Sequence, residues 1–195
     1  MENLAYQNKY YEVLDGKIFY MSPRPAIDHN RVINNISTIF SVFLKGKKCV
    51  PFCDGVDVFL TEKDTVIPDF MVVCNRDIIK VDGIYGVPNL IVEVLSPSTA
   101  KNDRGYKKDL YERVGVSEYW IVDTSNHSVE IYLLQDGKYI LSNMYGLYPD
   151  YVIAKMTEEE KAEMKTEFTT SLYGNDLIIK LEDVFYNLFS NPIEK

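Results

Sequence analysis

Hydrophobic and polar positions along this chain predict more strands than helices. Near the N-terminus, residues 10–21 form two short β-like runs around Asp15-Gly16, a dipeptide that favours a tight hairpin turn. From about Asp28 to Leu44, apolar residues recur at helical spacing and predict one amphipathic helix. Short runs rich in β-branched and aromatic residues then predict strands at 49–52, 56–60 and 67–74.

In the middle of the chain, residues 89–95 (NLIVEVL) predict a strand that is buried on both faces. A helix follows, capped by Asn102 or Asp103 and ending near Gly115, and residues 118–123 predict another strand. Strands outnumber helices, and one helix lies between two strands. This order indicates an α/β or α+β fold built around a mixed sheet.

The C-terminal third predicts a second hairpin, a charged helix, a strand and an apolar helical end. These are a hairpin of residues 129–134 and 139–144 around Asp136-Gly137, a helix at 158–168, a strand at 177–181 and a helical end at 184–189. Thr157 followed by Glu160 forms a capping box at the start of the charged helix. We interpret residues 1–195 as a single domain, with a core at about 10–145 and an extension at about 146–195.

Composition and charge argue against some classes of function for this protein. The chain has 195 residues, of which 46% are hydrophobic and 26% charged, which is typical of a globular domain. Because no apolar run approaches the roughly 18 residues of a membrane span, we expect no membrane partner. The formal net charge of -8 argues against bulk electrostatic binding of nucleic acid. Residues 101–113 nevertheless carry five basic and three acidic side chains, and Lys101, Arg104 and Lys108 are candidate nucleic-acid contacts.

The cysteines give an expectation about the compartment. Cys49, Cys53 and Cys74 form an odd set without metal-ligand spacing. This pattern fits buried or idle thiols in a reducing compartment, so we expect a cytoplasmic protein. We also expect a homodimer, because symmetric dimers are common among soluble proteins.

Two carboxylates interrupt runs that are otherwise apolar. Asp69 lies in VIPDFMVV and Glu93 in LIVEVL. An unpaired ionised carboxylate in such a strand costs several kcal/mol, roughly, so each needs a cation or a hydrogen-bond network. Asp103, Lys107 and Tyr111 follow at i, i+4 and i+8, on one face of the predicted helix. Two carboxylates beside a lysine can form a phosphodiesterase centre, in which the carboxylates hold Mg²⁺ and the ammonium orients the nucleophile or neutralises the phosphate.

Several motifs occur together and in order: Pro68-Asp69, VEVLSPST around Glu93, and DRGYKKDLYERVGVSEYWIVD from Asp103 to Asp123. With the opening YEVLDGKIFYMSP and His29, they resemble the Uma2 family of the PD-(D/E)XK nuclease superfamily. The resemblance implies a restriction-endonuclease-like fold, in which helices flank a central mixed sheet between N-terminal and C-terminal hairpins. It also implies a Mg²⁺- or Mn²⁺-dependent endonuclease acting on DNA, with RNA not excluded.

The resemblance carries roles to individual residues. Asp69 and Glu93 would bind the metal, together with the backbone carbonyl of Val94. The superfamily's lysine, expected two residues after the glutamate, is Leu95 here. The Uma2-like interpretation moves its role to Lys107 on the helix.

Four further residues are candidates for supporting roles, each with a structural alternative. His29 could contact metal or phosphate, although a role at the start of its helix is favoured. Tyr111 fits core packing, and Ser96 fits a turn or cap better than a nucleophile. Asp103 is the i, i+4 partner that favours Lys107 over Lys108.

Two alternatives to a nuclease stay open. The first is a nucleic-acid-binding or protein-interaction module that keeps the fold without the chemistry, as the missing lysine at Leu95 and the acidic charge would allow. The second is a metal-free structural subunit in which Glu93 pairs with Lys107. The sequence does not assign residues 148–168 to assembly or to substrate choice.

Overall fold

The computed structural model describes residues 11–21 and 26–189. Its strands are β1 (Tyr11–Leu14), β2 (Lys17–Tyr20), β3 (Val50–Cys53), β4 (Val58–Phe59), β5 (Thr65–Val66), β6 (Phe70–Val73), β7 (Ile84–Tyr85), β8 (Leu90–Val94), β9 (Glu118–Asp123), β10 (Ser128–Gln135), β11 (Lys138–Gly146), β12 (Glu167–Thr170) and β13 (Gly174–Lys180). Its α-helices are α1 (Ile27–Leu44), α2 (Ala100–Asn102), α3 (Lys108–Val114), α4 (Asp150–Ile153), α5 (Glu158–Glu163) and α6 (Leu181–Val184), with a 3-10 turn at Arg76–Ile78 and a π-helical turn at Asp103–Lys107.

Six strands form the central sheet, in the order β11-β10-β9-β8-β6-β3. Neighbours run antiparallel except β8 and β9, which are parallel and are connected by the helical segment that runs from α2 to α3. A parallel pair requires such a crossover, so this segment must return over one face of the sheet. A five-stranded sheet, β2-β1-β5-β4-β7, and the β12–β13 hairpin complete the fold.

The two faces of the central sheet bury separate apolar clusters. On one face, α1 contributes Phe40 and its apolar stripe, and Trp120 of β9 lies in the same cluster. On the other face, Ile91 of β8 packs with Leu110 and Tyr111 of α3. Because side chains alternate along β8, Glu93 points to the face of Ile91, beneath the crossover helix.

The mixed α+β class, the central mixed sheet and both terminal hairpins are confirmed. The two predicted hairpins turn at Asp15-Gly16 and Asp136-Gly137, where all four residues have positive φ. Both glycines occupy this left-handed region without the steric cost of a Cβ atom. Within the described residues, no helix combines the length and the apolar character of a membrane span.

Several sequence-based expectations are wrong, among them the helical end expected at 184–189, because α6 covers Leu181–Val184. The crossover helix begins at Ala100, after Thr99, so Asn102 and Asp103 lie inside it and do not cap it. The helix expected at 158–168 ends at Glu163, because residues 167–170 pair with β13 instead.

The expectation of idle thiols is also wrong for two of the three cysteines. Cys49 and Cys74 form a disulfide, and Cys53 is free and exposed. Since β3 and β6 pair Val50 with Val73, the two disulfide cysteines stand opposite each other across the strand ends.

Candidate functional site

Asp69 lies at the start of β6, beside the end of β8. The register that pairs Phe70 with Val92 brings the preceding Asp69 next to Glu93. The backbone N–H of Val94 donates to Asp69 Oδ2 at 2.7 Å. This bond fixes the carboxylate against β8, so the two acids predicted from the sequence lie together near the end of β8.

Glu93 is 2% exposed, and its Oε1 atom accepts two hydrogen bonds from the crossover helix. Lys107 Nζ donates at 3.0 Å and the Tyr111 hydroxyl at 2.6 Å. Tyr111 therefore does more than the core packing favoured from the sequence, although its ring is also fully buried.

Lys107 is 2% exposed and lies among three carboxylates. Its Nζ atom is 2.7 Å from Glu12 Oε1, 3.0 Å from Glu93 Oε1 and 3.7 Å from Asp103 Oδ1. The segment that carries it is π-helical, with Gly105 outside helical φ/ψ values. Wide turns of this kind occur often at functional sites because they re-aim side chains.

Glu12 is a member of this cluster that the sequence analysis did not single out. It lies on β1, is 6% exposed, and accepts a hydrogen bond at 3.0 Å from the backbone N–H of Ile67. The sequence signal was the alternation in YEVL, which places Glu12 on the same face as the buried Leu14.

The cluster holds more negative than positive groups. Burial first, and then the charges of Asp103, Asp69 and Glu12, raise the pKa of Glu93 well above its ordinary value, against the opposing effect of Lys107. Burial likewise raises the pKa of Asp103, again opposed by Lys107. The cluster is therefore short of positive charge.

The pKa of Lys107 is also raised, but its cause is the neighbouring charges and not burial. Burial alone would lower its pKa, but the charges of Glu93, Glu12 and Asp103 outweigh burial and raise the pKa well above its ordinary value. The side chain is therefore a permanent ammonium at neutral pH. Asp103 Oδ1 is buried and finds no hydrogen-bond partner among the described residues.

His29 approaches the site from α1. Its Nε2 atom lies 3.3 Å from Asp69 Oδ2, while Nδ1 is buried without a hydrogen-bond partner among the described residues. Burial would lower the pKa of His29, but the hydrogen bond and charge of Asp69 outweigh it and the pKa is raised. His29 thus contacts a candidate acid as well as occupying the first turn of its helix.

The remaining candidates lie around this centre without joining it. Ser96 exchanges hydrogen bonds with Ser98 and Thr99, which makes it a turn residue. Arg104 pairs with Glu130, and Lys108 lies 4.1 Å from the centroid of the Tyr132 ring, so both side chains cover β10. Lys101 is exposed.

The chemistry of the donor set fits a hard divalent cation. Among residues 11–21 and 26–189, no group of three or more His, Cys, Asp or Glu side chains is placed to hold a metal ion. Magnesium does not need one, because it is commonly bound by one or two carboxylates and completes its shell with waters. Asp69 and Glu93 supply two carboxylates, and the shortage of positive charge around Glu93 is what a cation would relieve.

Comparisons with known proteins identify the family of the chain and a solved structure of similar fold. The Uma2 family model, described as "Putative restriction endonuclease", matches residues 1–167. The proteins slr1290 and sll1609 of Synechocystis sp., both named as uncharacterized, are 29% and 26% identical over 140 residues, covering 70% and 69% of this chain and 73% and 78% of their own lengths. The crystal structure of a "putative nuclease belonging to DUF820" from Anabaena variabilis superposes with a TM-score of 0.66 at 16% identity, covering 90% of this chain and 89% of that one.

Proposed function

This chain belongs to the Uma2 family of restriction-endonuclease-like proteins, and from this premise we propose that it is a metal-dependent endonuclease that hydrolyses phosphodiester bonds in DNA. One observation carries the proposal. A buried ammonium, Lys107, meets Glu93 directly beside Asp69, in a cluster whose carboxylates outnumber its cations. A fold held together by ion pairs alone has no need for more buried carboxyl groups than cations, since burying an ionisable group costs stability.

Asp69, Glu93 and the backbone carbonyl of Val94 would hold Mg²⁺ or Mn²⁺. The bound ion would supply a water of lowered pKa and stabilise the charge that develops on the phosphate. The Val94 N–H keeps Asp69 Oδ2 against the end of β8, and Tyr111 orients Glu93 through Oε1.

Lys107 would orient the attacking water or neutralise the phosphate. A fixed ammonium aimed at developing negative charge acts strongly in a buried site, because little solvent screens it. Its raised pKa keeps it charged throughout the neutral range, so Lys107 acts in this proposal as a cation and not as a general base.

The first test is calorimetric titration with Mn²⁺, run on the wild type, Asp69→Asn and Glu93→Gln, with exposed Asp109→Asn as the control on the crossover helix. We expect saturable binding in the wild type and the control that is lost in both site variants. Circular dichroism should show the same fold in all four proteins. Absence of binding in the wild type would refute the metal site.

The second test is cleavage of plasmid DNA, single-stranded DNA and RNA with Mg²⁺ or Mn²⁺. We expect the wild type and Asp109→Asn to cleave DNA, and Asp69→Asn and Glu93→Gln to be inactive. Full activity in either site variant would refute the proposed roles. Metal binding without cleavage of any substrate would favour the non-catalytic module, and cleavage of RNA alone would correct the substrate.

A further inference from the structure

Glu12 makes the shortest contact of the Lys107 ammonium, at 2.7 Å. Glu12 is itself held in place, because the backbone N–H of Ile67 donates to the same Oε1 atom at 3.0 Å. Ile67 precedes Asp69 by two residues, so this bond links the N-terminal hairpin to the segment that carries a candidate metal ligand. A carboxylate with a backbone anchor can hold a flexible lysine stem in one position.

The other two acids hold Lys107 less well once a cation is bound. Glu93 shares its Oε1 atom between Lys107 and Tyr111, and a divalent cation on this carboxylate would repel the ammonium. Asp103 lies 3.7 Å away, beyond hydrogen-bond distance. Glu12 is thus the contact that survives when Glu93 is used for metal binding.

We infer that Glu12 is a positioning residue that fixes the Lys107 ammonium while Glu93 is occupied by the cation. The inference rests on the proposed function and assigns the β1–β2 hairpin a part in the site. A lysine on a helix reaches the site through a long stem with several rotatable bonds. It therefore needs a second anchor besides Glu93, and Glu12 on β1 supplies that anchor.

The test is a double-mutant cycle with Glu12→Gln, Lys107→Met and the double variant, using exposed Glu62→Gln as the matched control. Glutamine keeps an acceptor for the Ile67 N–H and removes only the charge. We expect Glu12→Gln to lower kcat by about 10- to 100-fold, with KM for DNA and the Mn²⁺ Kd each changed by less than about threefold. In the Lys107→Met background, Glu12→Gln should change kcat by less than about twofold, because the group it positions is gone.

Three outcomes would overturn the inference. An effect of Glu12→Gln that persists in full without Lys107 would show that Glu12 acts on the fold generally. Loss of Mn²⁺ binding in Glu12→Gln would make Glu12 a ligand, and unchanged kcat would leave it without a role. If Lys107→Met does not fold, Lys107→Gln takes its place in the cycle.

A separate measurement keeps the inference distinct from the proposed function. The same cycle on urea unfolding, with and without saturating Mn²⁺, should give a Glu12–Lys107 coupling of about tenfold or more in the unfolding equilibrium constant in both conditions. Coupling that disappears in Mn²⁺ overturns the inference even if the wild type cleaves DNA. A wild type that neither binds Mn²⁺ nor cleaves refutes the proposed function, and the metal-free cycle then tests the contact alone.

Discussion

Replacing Lys107 by methionine tests the electrostatics of the buried cluster most directly. Methionine approximates the length and volume of the lysine stem, so the variant loses the charge with little loss of packing. The ammonium is 2% exposed and contacts Glu12 at 2.7 Å, Glu93 at 3.0 Å and Asp103 at 3.7 Å. Removing one partner of a buried ion pair costs about 3–5 kcal/mol, because the remaining charge stays buried without compensation. We expect a loss of this size in the free energy of unfolding at pH 8.

The loss should shrink as the pH falls. Burial raises the pKa of Glu93 and Asp103 in the folded protein, and removing Lys107 removes the charge that opposes this rise. Between its unfolded and folded pKa values, each such carboxyl binds more proton in the folded state, so stability rises by up to about 1.4 kcal/mol for each unit that the pH is lowered. Lys107 does not oppose this pH dependence in the wild type. Because its pKa is raised in the folded protein, the stability that it contributes is lost only at pH values above the ordinary lysine range.

Urea unfolding followed by circular dichroism at pH 8 and pH 5 measures both effects. Exposed Lys101→Met is the control, with an expected change below about 0.5 kcal/mol at either pH. A penalty for Lys107→Met below about 1 kcal/mol at pH 8 would contradict the buried ion cluster. A penalty that is equal at pH 5 and pH 8 would show that the carboxylates do not depend on Lys107 for their ionisation.

Three further predictions concern the same centre and the assembly. Tyr111→Phe should destabilise the protein by about 1.5–3 kcal/mol in urea unfolding, because it deletes a 2.6 Å hydrogen bond to a buried carboxylate. Lys107→Met should bind Mn²⁺ about tenfold more tightly than the wild type in calorimetry at pH 8, since a cation on Glu93 no longer meets the ammonium, and yet should cleave DNA much more slowly than the wild type. A homodimer stays a prediction, and sedimentation equilibrium at micromolar concentrations should give twice the 22.5 kDa chain mass.

Local patterns account for most of what the sequence predicted about the fold. The Asp-Gly turns, the helical stripe of α1 and the apolar run around Glu93 each depend on residues close together in the chain. The spacing of Asp103, Lys107 and Tyr111 predicted that they share one face of the helix, which also depends only on nearby residues. The segment is π-helical at its start. The side chains of Lys107 and Tyr111 still reach one carboxylate, so the change in backbone did not separate them.

The residues that the sequence analysis missed depend on strand pairing between distant segments. Glu12 enters the cluster because β1 pairs with β5 through Val13 and Thr65, and no local pattern gives that register. The Cys49–Cys74 disulfide follows in the same way from the pairing of β3 with β6. Alternation in a single strand shows which side chains share a face, but not which distant residue they meet.

The direction of the side chains along β8 explains how Lys107, on the crossover helix, could replace a lysine at position 95 of the strand. Leu95 belongs to the apolar cluster on the face of Ile91, so residues 91, 93 and 95 point to the same side of the sheet. A lysine at 95 and a lysine at 107 would therefore both reach the space above Glu93, the first from the strand and the second from the crossover helix. A strand lysine is aimed by the sheet itself, whereas a helix lysine must be aimed by its contacts. The 2.7 Å contact with Glu12 meets that requirement, and Leu95 in turn supplies apolar packing where the strand lysine would have stood.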